Sequence, residues 1–262
     1  MQKVAVLGAL GKMGMEVMRA VEADPELELV AGVDPLAAGE FEGCGFLVEG
    51  ELDCLEGLGV NVVVDFTQAA AAVPNIMWAL DSGISAVVGT TGIPSASLAE
   101  IKAKAESSKA NVIIAPNFAI GAVMMMRLAK VAAGAFDQCE IIELHHRGKK
   151  DSPSGTAIAT ARAIEEVMKA SEVPGTVSRE VEGARGGGVG PVRIHSVRLD
   201  GLVANQEIIF GAPGQTLSIR HDTTDRSCFM PGVMMAIKSV ERLPGLTLGL
   251  EPVLDMFIDG SL

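Results

Sequence analysis

The first half of the chain alternates short, almost wholly apolar runs with longer segments in which apolar residues recur at helical spacing. The apolar runs predict strands at 3–7, 27–33, 60–66, 84–88 and 111–115, and the helical segments lie at 12–23, 69–81 and 95–108. Strands that are apolar on both faces are typical of a parallel sheet covered by helices on both sides. The pattern therefore predicts a Rossmann-like, doubly wound α/β domain over residues 1–118.

The pattern changes after residue 118. The predicted elements are helices at 120–135 and from about Ser154 to Met168, and strands at 140–144, 192–199, 203–210 and 215–221. The last three strands are joined by short Asp-Gly and Pro-Gly turns, which indicate a largely antiparallel sheet. The glycine-rich segment 183–191 is predicted to be a flexible loop. We expect a second α+β domain with a mixed sheet at 119–230, and a helix and tail at 231–262 that return to the first domain.

Charge narrows the classes of partner. The 262 residues carry 21 Lys and Arg against 33 Asp and Glu, which gives a formal net charge of −12. This charge disfavours binding to nucleic acid and to anionic membranes, so neither partner is expected. An anionic substrate would therefore need a local basic pocket.

The cysteines point to a reducing compartment. Cys44, Cys54, Cys139 and Cys228 are scattered, and no Cys-x-x-Cys spacing suggests a metal or redox pair. We expect them to be small, buried or half-buried apolar residues of a cytoplasmic protein without a metal site. No signal peptide and no apolar run of membrane-spanning length is seen in the sequence.

A glycine-rich turn follows the first predicted strand and opens the first helix. Its sequence is Gly8-Ala-Leu-Gly-Lys-Met-Gly14, and Asp34 ends the second strand. Such a turn lets the backbone approach a pyrophosphate, and an acid at the position of Asp34 binds the adenosine ribose hydroxyls. Purely structural roles stay open for both features, because glycine turns also serve strand–helix packing and Asp34 precedes Pro35 in a turn.

The residues around Asp34 also bear on the choice of dinucleotide. Position 35 is Pro rather than Arg, so no cation stands directly beside Asp34 for a 2′-phosphate, although Lys12 could partly supply one. We therefore predict NADH as the preferred cofactor, with NADPH tolerated. The loops Gly89–Gly92 and Ala115–Phe118 follow later strands, where ligands of such sheets bind, and their small and hydroxyl residues suit a nicotinamide and its ribose.

Acid–base chemistry is concentrated at Glu143-Leu-His-His-Arg-Gly-Lys-Lys-Asp-Ser-Pro-Ser-Gly-Thr-Ala157. Strand alternation puts Glu143 and His145 on one face and His146 on the other. Ser154 is a candidate helix cap, so the backbone N–H groups that follow it could bind a carboxylate or phosphate. Surface histidines, a solvated lysine turn or a metal pair are alternatives, but no third metal ligand stands at a familiar spacing. The segment predicts a site for an acidic small molecule.

This segment resembles the signature E-x-H-H-x-x-K-x-D-x-P-S-G-T-A of the dihydrodipicolinate reductase family, which it matches without a break. The resemblance extends to the glycine turn, Val64–Thr67, Val88–Gly92, Ala115–Gly121 and the strands through 193–229. It implies NAD(P)H-dependent reduction of 4-hydroxy-tetrahydrodipicolinate to tetrahydrodipicolinate in lysine biosynthesis. It also implies a homotetramer associated through the sheet of the second domain.

The resemblance further implies a role for each site residue. His145 is the proton donor and acceptor, and Lys149 is a second proton donor that also contacts the substrate. The substrate carboxylates are bound by His146, Lys149, Ser154, Gly155 and Thr156. The dinucleotide is held by Gly8, Ala9, Leu10, Gly11, Lys12, Met13, Asp34, Gly89, Thr90, Thr91, Ala115, Pro116, Asn117 and Phe118.

Two other function classes compete with this one. Another two-domain NAD-dependent dehydrogenase would share the first domain but would not require Pro-Ser-Gly-Thr after His-His-x-x-Lys. A redox-sensing protein that binds dinucleotide without turnover would not require the pair His145 and Lys149.

Overall fold

The computed structural model describes residues 1–37, 48–169 and 183–260. The strands are β1 (Gln2–Leu7), β2 (Leu27–Val33), β3 (Val48–Glu49), β4 (Val62–Asp65), β5 (Ser85–Val88), β6 (Val112–Ile114), β7 (Gln138–His145), β8 (Gly187–Val189), β9 (Val192–Arg198), β10 (Ala204–Ala212), β11 (Gln215–Thr223) and β12 (Leu246–Leu248). The helices are α1 (Lys12–Ala23), α2 (Ala69–Asp81), α3 (Ser95–Ser107), α4 (Ile120–Ala133), α5 (Gly155–Glu165), α6 (Met230–Ser239) and α7 (Glu251–Ile258). None of the helices in these ranges is long and apolar enough to cross a membrane.

The chain divides into two compact units, Met1–Ile120 with Arg226–Leu262, and Gly121–Asp225. The first unit contains a seven-stranded sheet of order β12-β6-β5-β4-β1-β2-β3, and every neighbouring pair is parallel. Its central strands are buried on both faces, and α2 and α3 pack against them. The Rossmann-like fold predicted for this part of the sequence is confirmed.

The chain order of this sheet reverses direction beside β1. Strands β2 and β3 follow on one side of it, whereas β4, β5 and β6 follow on the other. Ligands of such sheets bind outside the carboxyl ends of the strands at this reversal. The turns after β1, β2, β5 and β6 are those in which the sequence places the dinucleotide residues.

The second unit contains a five-stranded sheet of order β11-β10-β7-β9-β8. Strands β7 and β9 are parallel and the other neighbours are antiparallel, so the predicted mixed sheet is confirmed. Alternate residues of β7, β9 and β10 form a buried core with α4 and α5, which includes Ile141, Ile164, Ile194, Ile208 and Phe210.

The prediction for 183–191 was wrong in part. Gly187–Val189 is not a loop but strand β8, which pairs antiparallel with β9 through a tight turn at Gly190, where φ is +53°. This pairing uses backbone groups, and two of the three residues of β8 are glycine. The sequence therefore has no alternation of apolar and polar side chains that would predict the strand.

The described cysteines lie where the composition predicted. Cys139 is buried, and Cys54 and Cys228 are half-buried. Burial raises the pKa of the Cys139 thiol to about 12, which keeps it unreactive. Cys44 lies outside the described residues.

Candidate active site

The glycine turn after β1 uses its own amides internally. The N–H groups of Gly8 and Ala9 donate to the carbonyl of Val33 at 2.8 and 3.2 Å, and that of Gly11 donates to Gly8 at 3.0 Å. In the described part of the chain the N–H groups of Lys12 and Met13, the first of α1, have no acceptor. These two amides therefore carry the anion-binding capacity of the helix terminus.

Glycine is required where α1 crosses this turn. A Cβ built on Gly14 would lie 2.1 Å from the carbonyl oxygen of Gly8. Gly8 itself has φ of +78°, a conformation that side chains disfavour. The turn is thus packed tightly enough to expose the helix terminus at the carboxyl edge of the sheet.

Asp34 contributes to this turn directly. Asp34 is a buried residue, and its carboxylate accepts the N–H of Leu10 at 3.1 Å and the N–H of Leu36 at 3.0 Å. The turn role that the sequence left open is therefore present. A carboxylate offers about four lone-pair positions, so these two contacts are compatible with the predicted ribose contacts.

Sequence reasoning gave no role to Asp65, a buried carboxylate at the end of β4. It accepts hydrogen bonds from Thr67 N–H at 2.8 Å, Thr67 Oγ1 at 2.6 Å, Asn75 Nδ2 at 2.8 Å and Thr90 Oγ1 at 3.2 Å. It thereby joins the turns after β4 and β5 to α2, and it fixes Thr90 in the Gly89–Gly92 loop. Its position directly after an apolar run was the available signal.

Two aromatic rings complete this edge. The ring of Phe66 lies on Gly89, where a Cβ would approach it to 2.1 Å, and its centroid is 5.8 Å from that of Phe118. The loops Gly89–Gly92 and Ala115–Phe118 are therefore connected through Phe66. The structure brings these two predicted segments together at one edge of the sheet.

In the second unit, His145 lies at the end of β7 and contacts a buried acid. Its Nδ1 meets Oε2 of Glu143, whose side chain is fully buried. The predicted placement of both residues on one strand face is confirmed by their contact. His146 is exposed, and no described residue forms a hydrogen bond with its side chain.

Arg198 is a site residue that the sequence analysis missed. Its Nη1 and Nη2 donate to the two oxygens of Glu143 at 2.9 and 2.8 Å, and Nη2 also donates to the carbonyl of Asp151 at 2.6 Å. In β9, alternation from the buried Ile194 places Arg198 on the inner face. A cation at an inward position was the signal that could have identified it.

Lys149 occupies the turn between β7 and α5. Its Nζ lies 2.8 Å from Oδ1 of Asp151, and its side chain is 22% exposed. The hydrogen bond from Lys149 holds the pKa of Asp151 below its usual value. The ammonium of Lys149 therefore lies near His145, and its described partner, the carboxylate of Asp151, is exposed.

The start of α5 is capped as predicted. The hydroxyl of Ser154 accepts the N–H of Ala157 at 3.1 Å, and the N–H of Ser154 donates to Oε1 of Glu143 at 3.2 Å. The N–H groups of Gly155 and Thr156 have no acceptor among the described residues, and a Cβ on Gly155 would meet open space. Of the three predicted anion-binding amides, those of Gly155 and Thr156 remain available to a ligand, and that of Ser154 binds the carboxylate of Glu143.

Electrostatics set the resting state of this cluster. Burial lowers the pKa of His145, and the charges of Lys149 and Arg198 lower it further, while the contact with Glu143 opposes them. Burial alone would raise the pKa of Glu143, but its hydrogen bonds with Arg198, Ser196 and His145 hold that pKa below its usual value. At neutral pH the cluster therefore contains a neutral imidazole beside an ionised carboxylate.

This arrangement suits one type of chemistry. A histidine that gains and loses a proton, an ammonium and two free amides can bind an anion and protonate it as electron density builds up. The site contains no Ser or Cys nucleophile with a basic partner, and the described residues include no cluster of three potential metal ligands.

Family models match both parts of the chain. Residues 2–118 match "Dihydrodipicolinate reductase, N-terminus" and residues 121–254 match "Dihydrodipicolinate reductase, C-terminus". The 4-hydroxy-tetrahydrodipicolinate reductase of Nocardia farcinica (strain IFM 10152) is 48% identical, over 97% of this chain and 99% of that protein. The enzyme of the same name from Syntrophomonas wolfei is 47% identical, over 96% and 98%.

A solved structure agrees with these matches. Dipicolinate-bound dihydrodipicolinate reductase from Paenisporosarcina sp. TG-14 is 39% identical to this chain and superposes with a TM-score of 0.87. The superposition covers 96% of this chain and 99% of that one. The chain belongs to the dihydrodipicolinate reductase family.

Proposed function

We propose that this chain catalyses the nicotinamide-dependent reduction of 4-hydroxy-tetrahydrodipicolinate to tetrahydrodipicolinate in the diaminopimelate–lysine pathway. The observation that carries the proposal is the cluster at the start of α5, in which His145 is anchored on Glu143 beside Lys149 and two free amides. Relatives named for this activity align with nearly the whole chain. One solved relative holds dipicolinate, a planar dicarboxylate.

The chemistry of the substrate matches the groups at this site. The substrate is a cyclic imine with two carboxylates, and its reduction adds one hydride and one proton and releases the 4-hydroxyl as water. When bound, the cofactor supplies the hydride. In this proposal His145 and Lys149 supply protons, and the carboxylates are bound by His146, Lys149 and the backbone amides at the start of α5.

The residues of the first unit fit a dinucleotide. The turn at Gly8 to Met13 exposes the first amides of α1, and Gly14 permits the close approach that this requires. In this proposal the ribose of the adenosine contacts Asp34, and the loops Gly89–Thr91 and Ala115–Phe118 contact the nicotinamide half.

The preferred cofactor is predicted to be NADH. The carboxylate of Asp34 would repel a 2′-phosphate, and the sequence from Pro35 to Leu47 contains no Lys or Arg to compensate. We expect kcat/KM to be higher with NADH than with NADPH, and Lys12→Ala to lower the NADPH value more than the NADH value. A large preference for NADPH would contradict the role of Asp34.

A homotetramer is the proposed assembly. The outward face of the five-stranded sheet carries Ile142, Leu144, Val197 and Ile209, which are only half-buried within one chain. A sheet face of this kind suits burial against a second copy. Light scattering is expected to give four times the mass of the chain, and a monomer at micromolar concentration would refute this assembly.

The activity itself is tested by NADH oxidation. The substrate is generated from pyruvate and aspartate semialdehyde by an aldolase-type condensation, and NADH consumption is followed with and without it. We expect consumption that depends on the condensation product and that pyridine-2,6-dicarboxylate inhibits competitively. Dinucleotide binding without consumption would instead favour the redox-sensing alternative.

A further inference from the structure

Glu143 and Arg198 form an ion pair between β7 and β9, and the carboxylate of this pair also contacts two further groups of the site. The carboxylate is fully buried, and it receives both terminal nitrogens of the guanidinium, the N–H of Ser154 and Nδ1 of His145. An isolated carboxylate in such a place would take up a proton. Here the bidentate cation and the amide stabilise the ionised form, so Glu143 acts as an acceptor only.

This acceptor decides which nitrogen of His145 carries the proton in the neutral ring. An ionised carboxylate cannot donate, so the hydrogen in the contact with Oε2 of Glu143 belongs to Nδ1 of His145. The lone pair, and the proton once the ring is charged, then lie on Nε2. The other charged groups around the ring are Arg198 from β9 and Lys149, with its partner Asp151, from the turn before α5.

Arg198 also holds the turn that carries Lys149. The Nη2 of Arg198 donates to the carbonyl of Asp151 at 2.6 Å. The Nη1 of Arg198 donates to the carbonyl of the preceding residue, Val197, at 2.8 Å. One guanidinium therefore ties the strand that bears His145 to the turn that bears Lys149.

We infer that Glu143 and Arg198 are positioning residues, which fix His145 in the Nδ1–H tautomer and leave Nε2 as the nitrogen that exchanges protons with the substrate. The inference rests on the proposed function for its substrate, but the tautomer and the charge pair can be measured on the free protein. Histidines whose second nitrogen is held by a carboxylate use the same division of roles in other enzymes.

The first test needs no substitution beyond the one that assigns the signals. The chain has four histidines, so the imidazole nitrogens of His145 can be assigned by ¹⁵N NMR after His145→Gln identifies its signals. Above the pKa of His145 the shifts are expected to report the Nδ1–H tautomer in the wild-type protein. The Nε2–H tautomer would overturn the inference.

The second test separates positioning from a purely structural role. Glu143→Gln leaves the charge of Arg198 unbalanced and is expected to lower the pKa of His145, whereas Arg198→Met leaves Glu143 unbalanced and is expected to raise it. The pH at which kcat/KM declines should move in the same two directions. For Glu143→Gln we expect kcat to fall about 10–10²-fold, with a smaller change in KM.

A matched control lies on the same strand. Glu140 contacts His195 at 2.7 Å and also Arg185, which is a similar acid–histidine–arginine cluster on the opposite face of the sheet. Because Glu140 lies on the sheet face proposed for assembly, light scattering first checks that Glu140→Gln keeps the wild-type mass. This variant should leave the titration of His145 unchanged. Equal shifts in both Glu143→Gln and Arg198→Met, or no shift in either, would overturn the inference.

A double variant covers the case in which a single substitution unfolds the protein. Glu143→Leu/Arg198→Met removes both buried charges, and such replacements are often neutral for stability. In this variant His145 is expected to lose its preference for the Nδ1–H tautomer, and its retention would overturn the inference. The NMR experiments test the inference, and NADH oxidation tests the proposed function. If the NMR results are as expected but the wild-type protein does not oxidise NADH with the substrate, the proposed function is refuted.

Discussion

Replacing His145 with Gln is expected to lower kcat by about 10²–10⁴-fold, the usual contribution of a positioned general acid. The amide can keep the hydrogen bond with Glu143 but cannot give up a proton at neutral pH. The dissociation constant of NADH should stay unchanged, because the proposed cofactor residues belong to the parallel sheet of the first unit. Steady-state kinetics and a fluorescence titration with NADH measure the two quantities.

His195→Gln is the matched control for this variant. His195 also contacts a glutamate of β7, Glu140, but on the other face of the sheet. His195 lies on the outward sheet face proposed for assembly, so the variant serves as a control once light scattering shows that it keeps the wild-type mass. It should then retain kcat within about twofold, since substitutions away from the reacting groups have small effects. A His145→Gln enzyme with near wild-type kcat would remove His145 from the mechanism.

The pH dependence gives an independent measure of the same group. The protonated imidazole is the donor, so the rate is high below the pKa of His145 and declines as the pH rises through it. In the free protein burial lowers this pKa from its ordinary 6.5, so kcat/KM should decline below that pH. Two substrate carboxylates near the ring would raise the pKa in the complex, so kcat should decline at a higher pH than kcat/KM.

Local pattern predicted much of the fold, because most elements have a distinct side-chain signal. The apolar runs became the buried parallel strands, and the predicted helices at 12–23 and 69–81 coincide with α1 and α2. Strands β8 and β12 were missed although they are as long as β6, because neither has its continuous apolar run: two of the three residues of β8 are Gly, and Thr247 interrupts β12.

The candidate site shows a sharper limit. The contiguous residues His145, Lys149 and Ser154 could be placed from their spacing, but Arg198 lies 55 positions beyond Glu143. Its approach depends on β9 pairing parallel to β7 in a register that sets it opposite His145. That register comes from the packing of the whole sheet, so the ion pair between Arg198 and Glu143 could not be predicted from the sequence.

The same reasoning applies to Asp65. Its donors Asn75 and Thr90 lie 10 and 25 positions further along the chain, on a helix and on the turn after the next strand. A carboxylate at the end of an apolar strand was visible in the sequence, whereas the hydrogen bonds that make its burial tolerable were not.

Lys149→Ala is expected to raise KM for the substrate and to lower kcat, with kcat/KM falling about 10–10²-fold. A charge-assisted hydrogen bond to a carboxylate contributes roughly 1.5–3 kcal/mol, and each 1.4 kcal/mol corresponds to a factor of ten. The further loss in kcat comes from a missing proton donor. Stability should change little, because the partly exposed ion pair with Asp151 contributes at most about 1 kcal/mol.

Lys150→Ala separates the effect of where the Lys149 ammonium lies from the effect of the net positive charge of the turn. Lys150 is exposed, follows Lys149 directly and carries the same charge, and no ion pair with it is seen in residues 1–37, 48–169 and 183–260. Its loss should therefore reproduce any general effect of lowering the positive charge of the turn, which is screened over about 8 Å at physiological ionic strength. A tenfold or larger gap in kcat/KM between the two variants would assign the effect to the ammonium beside His145. Equal losses would mean that the turn acts only through its net charge.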